Sequence, residues 1–222
     1  MNFLHKVFHL EKDLNRKFYA NEINNYLNEY SDELDSEAIE ISNDDQLANF
    51  YSKYPKFNIN KKIGFRYGEV GVWASNYAAW KKFDESGCDY LILMEDDISF
   101  EKDFFNLLNL YMKDLPQNWD IFFFGCANNG SSFYNEEEHG IGSPYVCKAW
   151  QGNWLLCYVI NKKSVKKIIK SVEQEVVERP IDIHLFYSPQ HFNIYTLMPH
   201  AKHGVHGVEL GTTIHHQKRI GE

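Results

Sequence analysis

The chain has 222 residues and a formal net charge of −8, with 31 Asp and Glu against 23 Lys and Arg. That balance excludes a nucleic-acid surface as the main function, since such surfaces need clustered basic side chains. The length suits one large domain over 1–222, and no apolar run reaches the about 18 residues of a membrane span, so the expectation is a cytoplasmic protein. Cys88, Cys126, Cys147 and Cys157 show no CxxC spacing and suit a reducing compartment.

Apolar patterning then gives the elements in chain order. "KVFHL" (6–10) predicts a strand. A helix follows over 13–30, with Leu14, Phe18, Ile23 and Leu27 near one face. "AIEIS" (38–42) predicts a short strand, and a polar, irregular region runs to about residue 67. Over 68–86, Val70, Trp73, Tyr77 and Trp80 recur at helical spacing. "YLILM" (90–94) is a continuous apolar run, as for a strand buried on both faces. A helix over 102–115, strands over 119–125 and 154–160, and a helix over 164–178 complete the series. Alternating strands and helices predict an α/β fold around a mostly parallel sheet. In such sheets ligands collect at the carboxyl ends of the strands.

Straight after "YLILM" stand three carboxylates, Glu95, Asp96 and Asp97. Adjacent negative charges repel, and a bound hard cation removes that repulsion. Mg2+ and Mn2+ take oxygen ligands, one or two of them carboxylates, with phosphates and water completing the shell. The bland alternative is a solvated turn in which Asp97 or Ser99 caps the next helix.

The order of motifs around the three carboxylates shifts the balance between these. "GEVGVWASNYAAW", then "DYLILMEDDISF", then "WDIFFFG", resembles glycosyltransferase family 25, the lipooligosaccharide and collagen galactosyltransferase family. "VFHLEKDLNR" resembles the family's opening strand followed by an Arg, which places Arg16 on the family arginine. "WLLCYVINKKSVKKII" and "RPIDIHLF" resemble later segments, so the likeness runs in order over about residues 6 to 200. Val72, Asn76 and His9 depart from the residues the family often has there. Asn76 cannot titrate, unlike the His it replaces.

The resemblance implies a GT-A-like nucleotide-binding fold. It also implies transfer of galactose or glucose from a UDP-sugar to a glycan or glycoconjugate hydroxyl, with inversion. Breaking the sugar–diphosphate bond builds charge on the leaving phosphate, which Mn2+ or Mg2+ neutralises. Asp97 is then the first metal ligand and Glu95 a second ligand or a water-mediated one. Asp96 faces the donor or caps backbone. The donor-side set is Leu10, Arg16, Glu69, Ser75, Asn76, Asp96 and Gln151. Inversion needs a base for the attacking hydroxyl. Asp182 is the candidate, with helix N-capping as its alternative. Glu69 competes for the role, or favours the positive end of its helix.

The segment 199–222 is a His-rich tail expected to be flexible, in which His203 or His206 could add a metal ligand or a zinc site could form. Trp150, Gln151 and Asn153 precede a strand and could meet an acceptor sugar, whereas Trp154 opens that strand and either joins them or packs in the core. Lys162, Lys163, Lys166, Lys167 and Lys170 form a basic stripe that suits a solvated face or peripheral contact with an anionic membrane. Two rivals stay open: a metal-dependent phosphoester hydrolase and a non-catalytic glycan-binding relative.

Overall fold

A computed structural model describes residues 1–10, 12–127, 135–149, 153–186, 192–201, 205–207 and 219–220, with backbone only at 61, 126, 127, 153, 154 and 206. The elements are β1 (Phe3–Phe8), α1 (Leu14–Leu27), β2 (Asp32–Glu33), α2 (Asp44–Lys53), a 3-10 turn (Lys61–Ile63) and α3 (Tyr67–Glu85). Then come β3 (Tyr90–Glu95), β4 (Ile98–Phe100), α4 (Phe104–Met112), β5 (Ile121–Ala127), α5 (Glu136–His139) and β6 (Val146–Lys148). The rest are β7 (Asn153–Asn161), α6 (Lys162–Gln174), α7 (Ile181–Phe186), β8 (Ile194–Leu197) and β9 (Val205–Gly207).

Seven strands form one sheet in the order β2-β1-β3-β7-β5-β8-β6, and β4 pairs with β9 separately. β1, β2, β3, β5 and β8 run one way, and β7 and β6 run against them. The α/β class with a mostly parallel sheet, expected from the sequence, is the class observed. Period-2 alternation divides the strand side chains between two cores. Leu91, Leu93, Ile121, Phe123, Tyr158 and Ile160 face α3 and α6. Ile92, Met94, Phe122, Phe124, Cys157 and Val159 face α1 and α4. No helix among the described residues is long and apolar enough to cross a membrane.

Three expectations need correction. The buried face of α1 is Ala20, Ile23, Asn24 and Leu27, whereas Leu14 and Phe18 are 77% and 62% exposed. They sit about 180° round the helix from that face, so the helical stripe begins later than expected. Residues 38–42 form no strand. Instead Ile39 N–H donates to Ser75 Oγ at 2.8 Å, which fastens this segment to α3. The expected irregular region contains α2, capped by Asn43, whose side chain accepts from Gln46 N–H.

The basic stripe is only partly free. Lys162 Nζ donates to the carbonyls of Phe83, Asp84 and Ser86 at the end of α3, and Lys167 Nζ donates to Asp120 Oδ2 at 2.6 Å. Val165, Ile168, Ile169 and Val172 are buried on the opposite face, as the spacing predicts.

Candidate functional site

β1 and β3 pair in parallel over their whole lengths, with Phe8 opposite Glu95. Their carboxyl ends therefore lie side by side, and the turns leaving them meet. Strand alternation aims successive carboxylates at opposite faces. Asp96 is turned toward α1, where it is 4% exposed and accepts from Arg16 Nη1 at 2.5 Å. The same guanidinium stands 3.5 Å from Asp97 Oδ2 and 3.6 Å from Asp13 Oδ2. Asp13 itself caps α1 by accepting from Arg16 N–H at 3.1 Å.

Glu95 is turned toward α3 and α7. Burial first, then repulsion from Asp97, Asp96 and Asp182, pushes its carboxyl up to about 8, while Arg16 opposes the rise. Burial also raises Asp96, against the pull of Arg16. The structure thus brings Asp182, some 85 residues away in sequence, within electrostatic reach of Glu95. Asp182 lies in the first turn of α7, and its Oδ1 accepts from Ile183 N–H at 2.8 Å.

Asp97 Oδ1 is buried and has no hydrogen-bond partner among the described residues. A buried carboxylate oxygen without a donor is costly. A hard cation is the ligand its chemistry suits. Among the described residues no group of three or more His, Cys, Asp or Glu is arranged to hold a metal by itself.

Other expected residues fall in different places. Leu10 lies in the turn between β1 and α1, and its carbonyl accepts from Asp13 N–H. Ser75 is buried, bonded to the Gly71 carbonyl and to Ile39 N–H. Asn76 is buried too: its Nδ2 donates to the Val72 carbonyl, and its Oδ1 accepts from Tyr158 Oη at 2.5 Å. Both ends of that amide are engaged inside the protein. Glu69 Oε2 accepts from Arg66 N–H at 2.6 Å, closing the first turn of α3. Gln151, His203 and Trp150 lie outside the described residues, as does the side chain of His206. The backbone of His206 is in β9, opposite Ser99 of β4, two residues beyond Asp97. Further along the expected tail, Ile220 is buried beside Phe65 and bonded to its carbonyl.

Sequence reasoning missed Tyr158. It is buried within an apolar strand, accepts from Trp80 Nε1 at 3.2 Å, donates to Asn76, and feels the charge of Glu95. A buried tyrosine hydroxyl needs a partner, and an Asn inside a helix packed on that strand was the available signal.

Fold and site together define an α/β protein with a carboxylate-rich centre at the carboxyl edge of its sheet. The profile of glycosyltransferase family 25 (LPS biosynthesis protein) matches residues 7–185, and the chain belongs to that family. A bovine protein named probable inactive glycosyltransferase 25 family member 3 is 28% identical over 109 residues, 47% of this chain and 18% of the relative. A glycosyltransferase 25 family member from Anopheles gambiae is 31% identical over 46% of this chain and 17% of its own length. Procollagen galactosyltransferase 1-A of Xenopus laevis is 28% identical over 52% of this chain and 19% of its own. The chain therefore matches about a fifth of the length of these relatives.

Among solved structures, a Drosophila β1,4-galactosyltransferase 7 mutant in complex with manganese, UDP-Gal and xylobiose overlays with a TM-score of 0.48 at 8% identity. That overlay covers 100% of this chain and 76% of the other. A glycosyltransferase involved in glycosylation of the major capsid of PBCV-1 overlays with a TM-score of 0.44 at 11% identity, covering 91% and 95%.

Proposed function

We propose that this chain moves a hexose, galactose or glucose, from a UDP-sugar to a hydroxyl of a glycan or glycoconjugate acceptor, with inversion. The observation that carries this is the convergence of Glu95, Asp97 and Asp182 at one sheet edge, with Asp97 Oδ1 buried and without a donor among the described residues. Asp97 and Glu95 would hold Mn2+ or Mg2+, which supplies charge neutralisation to the donor diphosphate. The backbone pairing of β9 with β4 supports His206 as a further ligand from the tail.

The chain's own residues do the rest. Arg16 fixes Asp96 and one oxygen of Asp97, so the turn after β3 keeps its shape. Asp182 takes the proton from the attacking hydroxyl as its oxygen bonds to the anomeric carbon. The bond from that carbon to the diphosphate breaks, and UDP leaves with the electron pair. A base positioned in this way contributes roughly 10²–10⁴-fold. Asn76, engaged on both sides, serves the scaffold beneath Glu95 and takes no part in proton transfer.

The bovine relative's name, with the word inactive in it, favours one second reading, a glycan-binding protein without turnover. Release of UDP from UDP-galactose or UDP-glucose, with Mn2+ and a panel of sugar acceptors, separates the two. Acceptor-dependent UDP release that is lost in Asp97→Ala supports the transferase. Glycan binding with no UDP release from any donor supports the second reading.

A further inference from the structure

Trp73 has none of its surface exposed, yet its one polar atom reaches off α3 to another element. Indole Nε1 donates to the carbonyl of Arg179 at 3.0 Å. Arg179 precedes Pro180 and α7, the short helix that carries Asp182. On its other side this approach segment is fixed by the chain at 58–60. Val177 N–H donates to the Asn58 carbonyl at 2.8 Å, and Asn60 N–H donates to the Val177 carbonyl at 3.0 Å. Asn60 Nδ2 also donates to Glu178 Oε1 at 2.9 Å. The Trp73 ring meets the ring of His184 edge-on, with centroids 5.2 Å apart. One indole thus holds α7 three residues before Asp182 and two residues after it.

A helix of six residues has too few internal hydrogen bonds to hold its own direction. Its carboxylate is placed by what grips its ends. The hydrophobic end is gripped by Phe186, stacked on Phe123 of β5 at 3.9 Å. The polar end is gripped by Trp73. We propose that Trp73 is a positioning residue for Asp182, and that its indole N–H sets where this carboxylate stands relative to Glu95 and the acceptor hydroxyl. The proposal rests on the transferase reading in which Asp182 is the base.

Trp73→Phe keeps an aromatic ring in the core and removes the N–H. A second variant replaces Trp73 with its benzothienyl isostere, in which sulfur takes the place of the N–H and the shape is retained. Either change lowers kcat by about ten- to a hundred-fold, the range that displacement of a reacting group produces, while the KM for the UDP-sugar stays within about twofold. In the Asp182→Asn background the same change costs little further activity, because both substitutions act through one group. Unchanged kcat in a folded variant overturns the proposal, and so do losses that simply multiply in the double variant. Absence of sugar transfer by the unmodified chain defeats the transferase reading instead. In that event a crystal structure of Trp73→Phe decides the positioning. Displacement of α7 relative to β3 upholds it, and an unmoved α7 overturns it.

Discussion

Arg16 Nη1 donates to Asp96 Oδ1 across 80 residues of sequence, at 2.5 Å, and joins the first turn of α1 to the turn after β3. Asp96 is almost wholly buried, so loss of the guanidinium leaves its charge without compensation. Arg16→Ala is expected to destabilise the chain by about 3 kcal/mol. Arg16→Lys keeps a charge but not the planar fork, and falls between. Urea denaturation of the three proteins checks the order.

A second prediction concerns acid. His5 is buried in β1, bonded through Nδ1 to Ser31 Oγ at 2.9 Å. Burial lowers it from 6.5 to about 4, with Lys6 adding to the fall and Glu33, Asn24 and Asp32 opposing it. The unfolded chain therefore binds a proton on His5 at a higher pH than the folded chain does. The stability this neutral His confers is full above pH 6.5. It is lost progressively as pH falls from 6.5 to about 4, to a total of about 3 kcal/mol. His5→Gln removes that contribution, so its stability falls less steeply across the same window in pH-dependent urea titrations.

Third, the segment 39–41 is expected to depend on small side chains of α3. A Cβ on Gly71 would stand 3.0 Å from the Ile39 carbonyl oxygen, a backbone atom that cannot turn aside. Gly71→Ala should cost about 1–3 kcal/mol by overpacking. Ser75→Ala removes the acceptor for Ile39 N–H and should cost about 1 kcal/mol. Thermal melts of the single and double variants measure both effects. The double loss should fall short of the sum, because both changes release one segment.

Fourth, the two carboxylates first considered as catalytic separate in their response. Asp182→Asn should lower kcat by roughly 10²–10⁴-fold with little change in donor KM. Glu69→Gln weakens the closure of the first turn of α3 and should lower stability by about 1 kcal/mol, with kcat within about twofold of the parent. Steady-state kinetics alongside thermal melts distinguish a base from a cap.

Four strands of the sheet, β1, β3, β5 and β7, were legible as apolar runs, whereas the short β2, β6 and β8 were not. "YLILM" has no polar residue, and Leu91, Ile92, Leu93 and Met94 are buried accordingly. The helices α3 and α6 followed from apolar spacing. The start of α1 misled, because Leu14 and Phe18 are apolar residues that the fold leaves outside. The 38–42 stretch alternates like a strand, yet it lies against α3, where the hydroxyl of Ser75 supplies the partner for Ile39 N–H. At the site, the run 95–97 announced itself as three adjacent charges at a strand end. What the sequence could not show was which face each carboxylate would take. Alternation sends Asp96 to Arg16 and Glu95 toward Asp182. Ser75 and Asn76 sit in a polar-looking motif, but helix rotation places both in the interior. Tyr158 and Trp73 look like core residues in sequence, and their single polar atoms acquire partners only through contacts made by the folded chain.

The central claim is that the carboxylates at the end of β3 hold a divalent cation against a nucleotide diphosphate. Calorimetric titration of UDP into the chain, with and without Mn2+, tests it most directly. The account predicts UDP binding that requires Mn2+ and disappears in Asp97→Ala. Failure to bind UDP with or without Mn2+ would contradict it, as would binding to Asp97→Ala with undiminished affinity.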